Sequence, residues 1–359
     1  MTILSERPVG RRSFHPPHGD VFPDNSRRSG LDKDVEQFLL ELNRQLQPRF
    51  QSAMDRIADI PSLKEGVVYQ IDTGGKRLRA ALCVTVCEIF CSSYRPALNF
   101  AAAIEHLQNF TLIHDDIADG DAERRGQASA WKRYGIAHGM NIGDIFVPLA
   151  ALAILEADYP SSVKLELLQV ISEFGLEVAE GQSLDINLRR NNNPTLEDYI
   201  ACTQKKTGAF LAIAAVGGGI IGGANQRQIE CLKQFALLAG VAFQIKDDVL
   251  DYIGGKGRMV GSDILEGKRT PMVIYAAMQA SQEERTRMME ILNKPWTKTS
   301  ESDVAWVHTL FQRTEASQKA EEMAEKLIDE ALDYLQELPE TPAKYRFLRL
   351  SKYLTRRIH

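Results

Sequence analysis

Leu112-Ile113-His114-Asp115-Asp116-Ile117-Ala118-Asp119 places three carboxylates at i, i+1 and i+4. On a helix of about 3.6 residues per turn, the first and last share a face and the middle one lies close enough to share a ligand. Three like charges on one turn repel unless a cation sits among them. The apolar residues before them imply a helix buried on its other side. The stretch has a twin: Phe243-Gln244-Ile245-Lys246-Asp247-Asp248-Val249-Leu250-Asp251 repeats the spacing on the same apolar background. Two such clusters read as facing halves of a site for divalent metal.

Around these clusters the pattern is helical. Val35, Phe38, Leu39, Leu42 and Leu46 keep the helical period, and Pro48 and Pro61 punctuate the next short segment. Helices are expected over Leu78 to Tyr94, Ala97 to Asp119, Ile136 to Leu155, Val163 to Arg190, Asp198 to Ile221 and Gln226 to Tyr252, and then over 270–293, 301–336 and 342–357. Thr195 is the expected cap after Asn191-Asn192-Asn193-Pro194, with Asp198 at the capping-box position. Gly120 to Gly135 and Gly254 to Gly267 read as loops, and no strand alternation or repeat stands out. The expected fold is all-α, a helical bundle around a deep central cavity. It forms one domain over 31–359, preceded by a Pro-, Arg- and Gly-rich tail over 1–30 expected to be disordered.

The composition excludes several classes. With 359 residues, 44% of them hydrophobic, the chain can bury a large core. Its net charge of −5 gives no footprint for nucleic acid. Arg11-Arg12 has no apolar run after it, so export is rejected. No uninterrupted apolar run is read as long enough for a membrane span; Ala209 to Ile221 comes nearest and reads as a buried helix. Five cysteines without C-x-x-C spacing point to a reducing, cytoplasmic compartment, and Cys83, Cys87 and Cys91 read as small apolar residues on one helix face. His114 reads as packed or hydrogen-bonded, because magnesium disfavours imidazole.

Four basic patches accompany the acids. Gly74-Gly75-Lys76-Arg77-Leu78-Arg79 sets three cations at a helix start, a place suited to phosphate. Arg124-Arg125, Lys205-Lys206-Thr207-Gly208 and the segment through Arg258, Gly261, Asp263, Gly267 and Lys268 are the others. Together they suit a diphosphate held by metal on one side and cations on the other, with an apolar tail against Leu, Ile, Val, Phe and Ala walls.

In this order the motifs resemble those of the trans-polyprenyl diphosphate synthases. They are Gly-Gly-Lys-Arg-x-Arg, Asp-Asp-x-x-Asp, Arg-Arg-Gly, Lys-Thr-Gly, Phe-Gln-x-x-Asp-Asp-x-x-Asp and Gly-Ser-Asp-x-x-x-Gly-Lys-x-Thr, and the likeness covers 31 to 357. It implies the isoprenoid-synthase bundle, a homodimer, and condensation of isopentenyl diphosphate with an allylic diphosphate (dimethylallyl, geranyl or farnesyl). Asp115, Asp116, Asp119, Asp247, Asp248 and Asp251 would then hold Mg²⁺. Arg124, Lys205, Thr207 and Gln244 match contacts to the allylic diphosphate. Gly75, Lys76, Arg79, Gln108 and Arg125 match contacts to isopentenyl diphosphate. Gln182 and Asp185 match a further motif, and Lys246 and Lys268 are candidates for closing the site. Catalysis is assigned to Asp115, Asp116, Asp119, Lys205, Asp247 and Asp248.

Chain length is assigned to Phe110 and Thr111, one turn before the first cluster. A bulky residue there, without the insertion seen in many bacterial fifteen-carbon synthases, resembles enzymes making geranylgeranyl diphosphate, with farnesyl diphosphate next. The sequence departs from the family at Ala80, where Pro is usual, at Gln127-Ala128-Ser129, and at Thr270-Pro271-Met272. Two other readings compete. A class I terpene cyclase needs the acidic clusters but not a second diphosphate site. A non-catalytic subunit would be expected to lose those clusters.

Overall fold

The fold is described from a computed structural model, over residues 30–254 and 261–355. The tail expected over 1–30, except Gly30, lies outside the described residues, as does Arg258. Helices α1 (Gly30–Asp55), α2 (Leu63–Asp72), α3 (Leu78–Cys91) and α4 (Leu98–Asp119) open the chain. A short hairpin comes next, β1 (Glu123–Arg124) pairing antiparallel with β2 (Gln127–Ala128). Beyond it lie α5 (Ala130–Tyr134), α6 (Ile136–Asp144), α7 (Phe146–Leu155), α8 (Ser161–Leu188), α9 (Leu196–Thr203), α10 (Ala209–Gly222) and α11 (Gln226–Ile253). The chain ends with α12 (Ser262–Leu265), α13 (Pro271–Gln279), α14 (Gln282–Leu292), α15 (Glu301–Arg313), α16 (Ala316–Tyr334) and α17 (Pro342–Thr355).

The all-α expectation holds, with several differences in detail. Helix α1 runs through Pro48, where an interruption is expected. The loop expected over Gly120 to Gly135 contains the hairpin, whose turn places Arg125 (φ 56°) and Gly126 (φ 76°) in the left-handed region. Positive φ at both central residues is the geometry that matches hairpin twist. Two of the helices expected to be continuous are split: 270–293 at Ser281, whose capping box with Glu284 starts α14, and 301–336 between Arg313 and Ala316, where Glu315 has φ 51°. The capping box read at Thr195 and Asp198 is present.

Helix α10 is the spine. Buried from Ala209 to Gly219, it packs on α3, α8 and α11. Its small residues permit this: a methyl group at Gly218 would lie 2.4 Å from the Cys83 carbonyl oxygen, and one at Gly222 would lie 2.8 Å from that of Cys87. Helix α4 packs on α3, α6 and α7, and α16 on α11. One continuous apolar core includes Val35, Phe100, Ile213, Phe235 and Leu350.

A stretch other than Ala209 to Ile221 comes nearest to a membrane span. Ile136–Leu155 is a stretch long and apolar enough, by length and composition, to cross a membrane. In the fold it bends at Ile145, carries Asp144, and lays part of its surface on α4.

Candidate active site

The two acidic clusters occupy the C-terminal ends of two long helices. Asp119 is the last residue of α4, and Asp251 lies two residues before the end of α11. A helix C-terminus carries a partial negative charge, so carboxylates there are destabilised unless cations are near. Burial adds to this. Asp116 is 1% exposed, and burial pushes its carboxyl up to about 7 against the pull of Arg124. Burial also raises Asp115, and raises Asp251 to about 7 with help from the charge of Asp263. Asp248 is pushed well above the usual carboxylate range by burial and then by Asp263.

The chain's own cations converge on these acids. Arg124 donates from Nε to Asp116 Oδ1 at 2.7 Å and pairs also with Asp121. Arg189 Nη2 lies 2.9 Å from Asp119 and 3.1 Å from Asp185. Lys206 Nζ donates to Asp185 at 3.0 Å. Burial pushes Asp185 up, but Lys206 and Arg189 hold it below its ordinary value. Lys268 joins the two halves. Its ammonium is 2.7 Å from Asp263 and 2.9 Å from Glu266. Burial works against its charge, yet Asp263, Glu266 and Asp119 hold it well above its usual range. Lys268 therefore feels the first cluster through Asp119, and its charge in turn lowers Asp248 and Asp251 of the second.

Lys205 is not part of this convergence, contrary to expectation. Its ammonium pairs with Glu180 and is 40% exposed, while Lys206 beside it faces Asp185 and Asp115. The cause is local. Gln204–Gly208 forms a π-helical turn between α9 and α10, a feature common at functional sites. Gly181 of α8 and Gly240 of α11 clamp it. A methyl at Gly181 would lie 2.3 Å from the Lys206 nitrogen, and one at Gly240 would lie 2.4 Å from Gly208 Cα. From the same turn, Thr207 donates to Gln244 Oε1 at 3.1 Å, and Gln244 donates to Asp248 at 3.0 Å. The Tyr199 hydroxyl donates to the other oxygen of Asp248 at 2.8 Å.

Of the residues expected to hold a second diphosphate, the structure brings Arg125 and Gly75 together just before α3. The Arg125 side chain donates to the Gly74 carbonyl and lies against Gly75, where a methyl would approach within 2.8 Å of Nη2. Lys76 donates to the Tyr353 hydroxyl at 3.0 Å. The Arg79 guanidinium stacks over Phe210, centred 4.9 Å from the ring. The Gln108 side-chain oxygen Oε1 is buried with no hydrogen-bond partner, whereas its backbone carbonyl accepts from Thr111. Arg77, grouped with these cations by sequence, turns inward instead. It is 4% exposed, pairs with Glu105 at 3.0 Å and lies over Phe50. Removing one member of such a buried pair costs about 3–5 kcal/mol, so Arg77 serves the fold. Glu105 also accepts from the Ala80 N–H at 3.3 Å, a bond that the family's usual proline could not make.

Near the proposed floor, the Phe110 ring centre is 4.5 Å from that of His114, whose Nε2 lies 3.1 Å from Asp144. Thr111 donates back to the Gln108 carbonyl at 3.0 Å. Lys246 is drawn toward α16, 3.8 Å from Glu325. Asp247 and Gln182 are half-buried on α11 and α8. Five residues in or beside the site carry no role in the sequence reading: Arg189, Tyr199, Lys206, Asp263 and Glu266. Lys206 and Asp263 lie within quoted motifs, and Arg189 stands four residues after Asp185 on one helix face, a signal that could have found it.

The donor set suits a hard divalent ion. It is all oxygen, and Asp116 Oδ2 is buried without a partner. Among the described residues no three acids or imidazoles close a metal site by themselves, so further oxygen would have to come from a ligand.

The family model for polyprenyl synthetase matches residues 60–310. The chain belongs to the polyprenyl synthetase family. Among its relatives, a short chain isoprenyl diphosphate synthase of Methanothermobacter thermautotrophicus is 33% identical, over 85% of this chain and 94% of that protein. A geranylgeranyl diphosphate synthase of Methanosarcina mazei is 33% identical over 80% and 88% respectively. The crystal structure of geranylgeranyl pyrophosphate synthetase from Pyrococcus horikoshii superposes with a TM-score of 0.83 at 30% identity, covering 90% of this chain and 99% of that one. The polyprenyl synthetase fold thus spans nearly all of the described residues.

Proposed function

We propose that this protein is a short-chain trans-prenyltransferase that joins isopentenyl diphosphate to an allylic diphosphate, with geranylgeranyl diphosphate as its main product. The observation that carries the reading is a chain of contacts between the two clusters: Asp119 meets Arg189 at 2.9 Å, Arg189 meets Asp185 at 3.1 Å, Asp185 meets Lys206 at 3.0 Å, and the neighbouring Thr207 reaches Asp248 through Gln244. It supports a single anion-and-metal site between α4 and α11. Asp115, Asp116 and Asp119 on one side, and Asp247, Asp248 and Asp251 on the other, would hold Mg²⁺. Bound there, the metal would supply charge stabilisation for the departing diphosphate.

The residues then divide the work. Arg124, Lys206, Thr207 and Gln244 bind the allylic diphosphate, and Lys268 closes on it. Lys206 takes the place expected for Lys205. Gly75, Lys76, Arg79, Gln108 and Arg125 hold isopentenyl diphosphate, Gln108 by donating from its side-chain amide nitrogen. The allylic carbon–oxygen bond breaks, and these cations take up the charge that develops on the leaving oxygen. The double bond of isopentenyl diphosphate forms the new carbon–carbon bond. The proton lost afterwards passes to the released diphosphate. Apolar walls from α4 and α10 keep water from the cation.

Phe110 and Thr111 limit the tail, and the named relatives include geranylgeranyl diphosphate synthases. A homodimer is supported by Met140, Val147, Leu155, Leu165 and Leu176, exposed on α6, α7 and α8. A cytoplasmic location is supported by five free cysteines. The test is incubation with isopentenyl diphosphate, Mg²⁺ and each allylic primer, with products identified by mass. A twenty-carbon diphosphate is expected, and a longer one from Phe110→Ala. A hydrocarbon, or no elongation, contradicts the reading and favours a cyclase.

A further inference from the structure

Arg189 stands outside every motif that pointed to the site, yet it occupies the site's most contested position. It caps the C-terminus of α8, where a helix end favours a cation. One nitrogen, Nη2, bridges Asp119 Oδ1 at 2.9 Å and Asp185 Oδ2 at 3.1 Å. All three side chains are less than one-fifth exposed. The guanidinium Nε is buried without a partner, so the side chain is held by its charge contacts rather than by a full set of hydrogen bonds. Arg124 sits on Asp116, and Lys206 shares Asp185, while Arg189 is in direct hydrogen-bond contact with Asp119.

We propose that Arg189 is a built-in counter-ion of Asp119 that an entering metal ion must displace, so that it sets how much divalent metal the protein needs. The inference rests on the metal-site reading above. A cation resting on Asp119 Oδ1 competes for the charge and the lone pairs a metal would use. Asp185 retains the displaced guanidinium and keeps it close. Arg189 is thus a positioning residue that acts through Asp119. It touches neither substrate nor reacting atoms.

The experiment is titration of the full-length protein with Mn²⁺ alone, free Mn²⁺ being counted by electron paramagnetic resonance. The wild type is compared with Arg189→Gln and Arg189→Lys. Neutral Gln should tighten Mn²⁺ binding by about tenfold, the scale on which groups bonded to metal ligands tune affinity. Lys keeps the charge and should stay within about twofold of the wild type. A merely structural role would move both variants together. Equal or weaker binding by Arg189→Gln, including none detectable in either protein, overturns the proposal, as does equal tightening by Gln and Lys. Elongation by the wild type in the primer assay separates the two failures. With elongation intact and Mn²⁺ affinity unmoved, only the role of Arg189 falls; without elongation, the metal-site reading falls with it.

Discussion

Adjacent lysines with opposite surroundings show how finely the site is set at the scale of single residues. Lys206 is drawn to Asp185, Asp115 and Asp119, which hold its ammonium charged despite burial. Lys205 meets Glu180 at the surface, and the hydrogen bond with that carboxylate raises its pKa. Surface pairs of this kind contribute about 0–1 kcal/mol, and their loss is rarely felt. Lys206→Ala should therefore lower turnover by about two to three orders of magnitude, as expected when a group that stabilises a leaving anion is removed. Lys205→Ala should keep turnover within a few-fold of normal. Steady-state kinetics on both variants checks the assignment, and the reverse order of effects would return the role to Lys205.

At the scale of elements, the π-turn explains which parts of the site can be read from sequence. Asp115, Asp116, Asp119 and their twin are legible because their spacing is local and an unbroken helix preserves it. Lys206 is legible as the lysine of the Lys-Thr-Gly motif, but the direction each of the adjacent lysines takes is not, because the π-turn changes the angular step from one side chain to the next. Arg77 groups with Lys76 and Arg79 in sequence because a cation's direction depends on backbone φ, here 53°, which the letters do not carry. The split at Ser281 is legible in principle through its S-x-x-E pattern, but a continuous apolar period masks it. Gly240 guards the π-turn from α11, with backbone rather than a flexible side chain opposite it. Gly240→Ala should push the two elements apart and destabilise the protein by about 1–3 kcal/mol, as overpacking does. Turnover should fall with it as Lys206 shifts. Thermal melting and a turnover assay check this, and unchanged values in both would show that the close packing does not hold the turn.

For the whole molecule, α4 and α11 bring two negative helix ends together, and the remaining helices supply the charge that makes this tolerable. Arg124 comes from the hairpin, Arg189 from the end of α8, Lys206 from the π-turn, and Lys268 from the segment after α12. Chain segments far apart in sequence thus bring their cations to the acids at these two helix ends. The central claim is that both acidic clusters grip metal on the same diphosphate. Crystals soaked with Mn²⁺ and inorganic diphosphate test it most directly through the anomalous-difference map. The account predicts manganese peaks touching carboxylates of both the Asp115–Asp119 and the Asp247–Asp251 clusters, with one diphosphate between them. Peaks on one cluster alone, or diphosphate bound away from the metal, would contradict it.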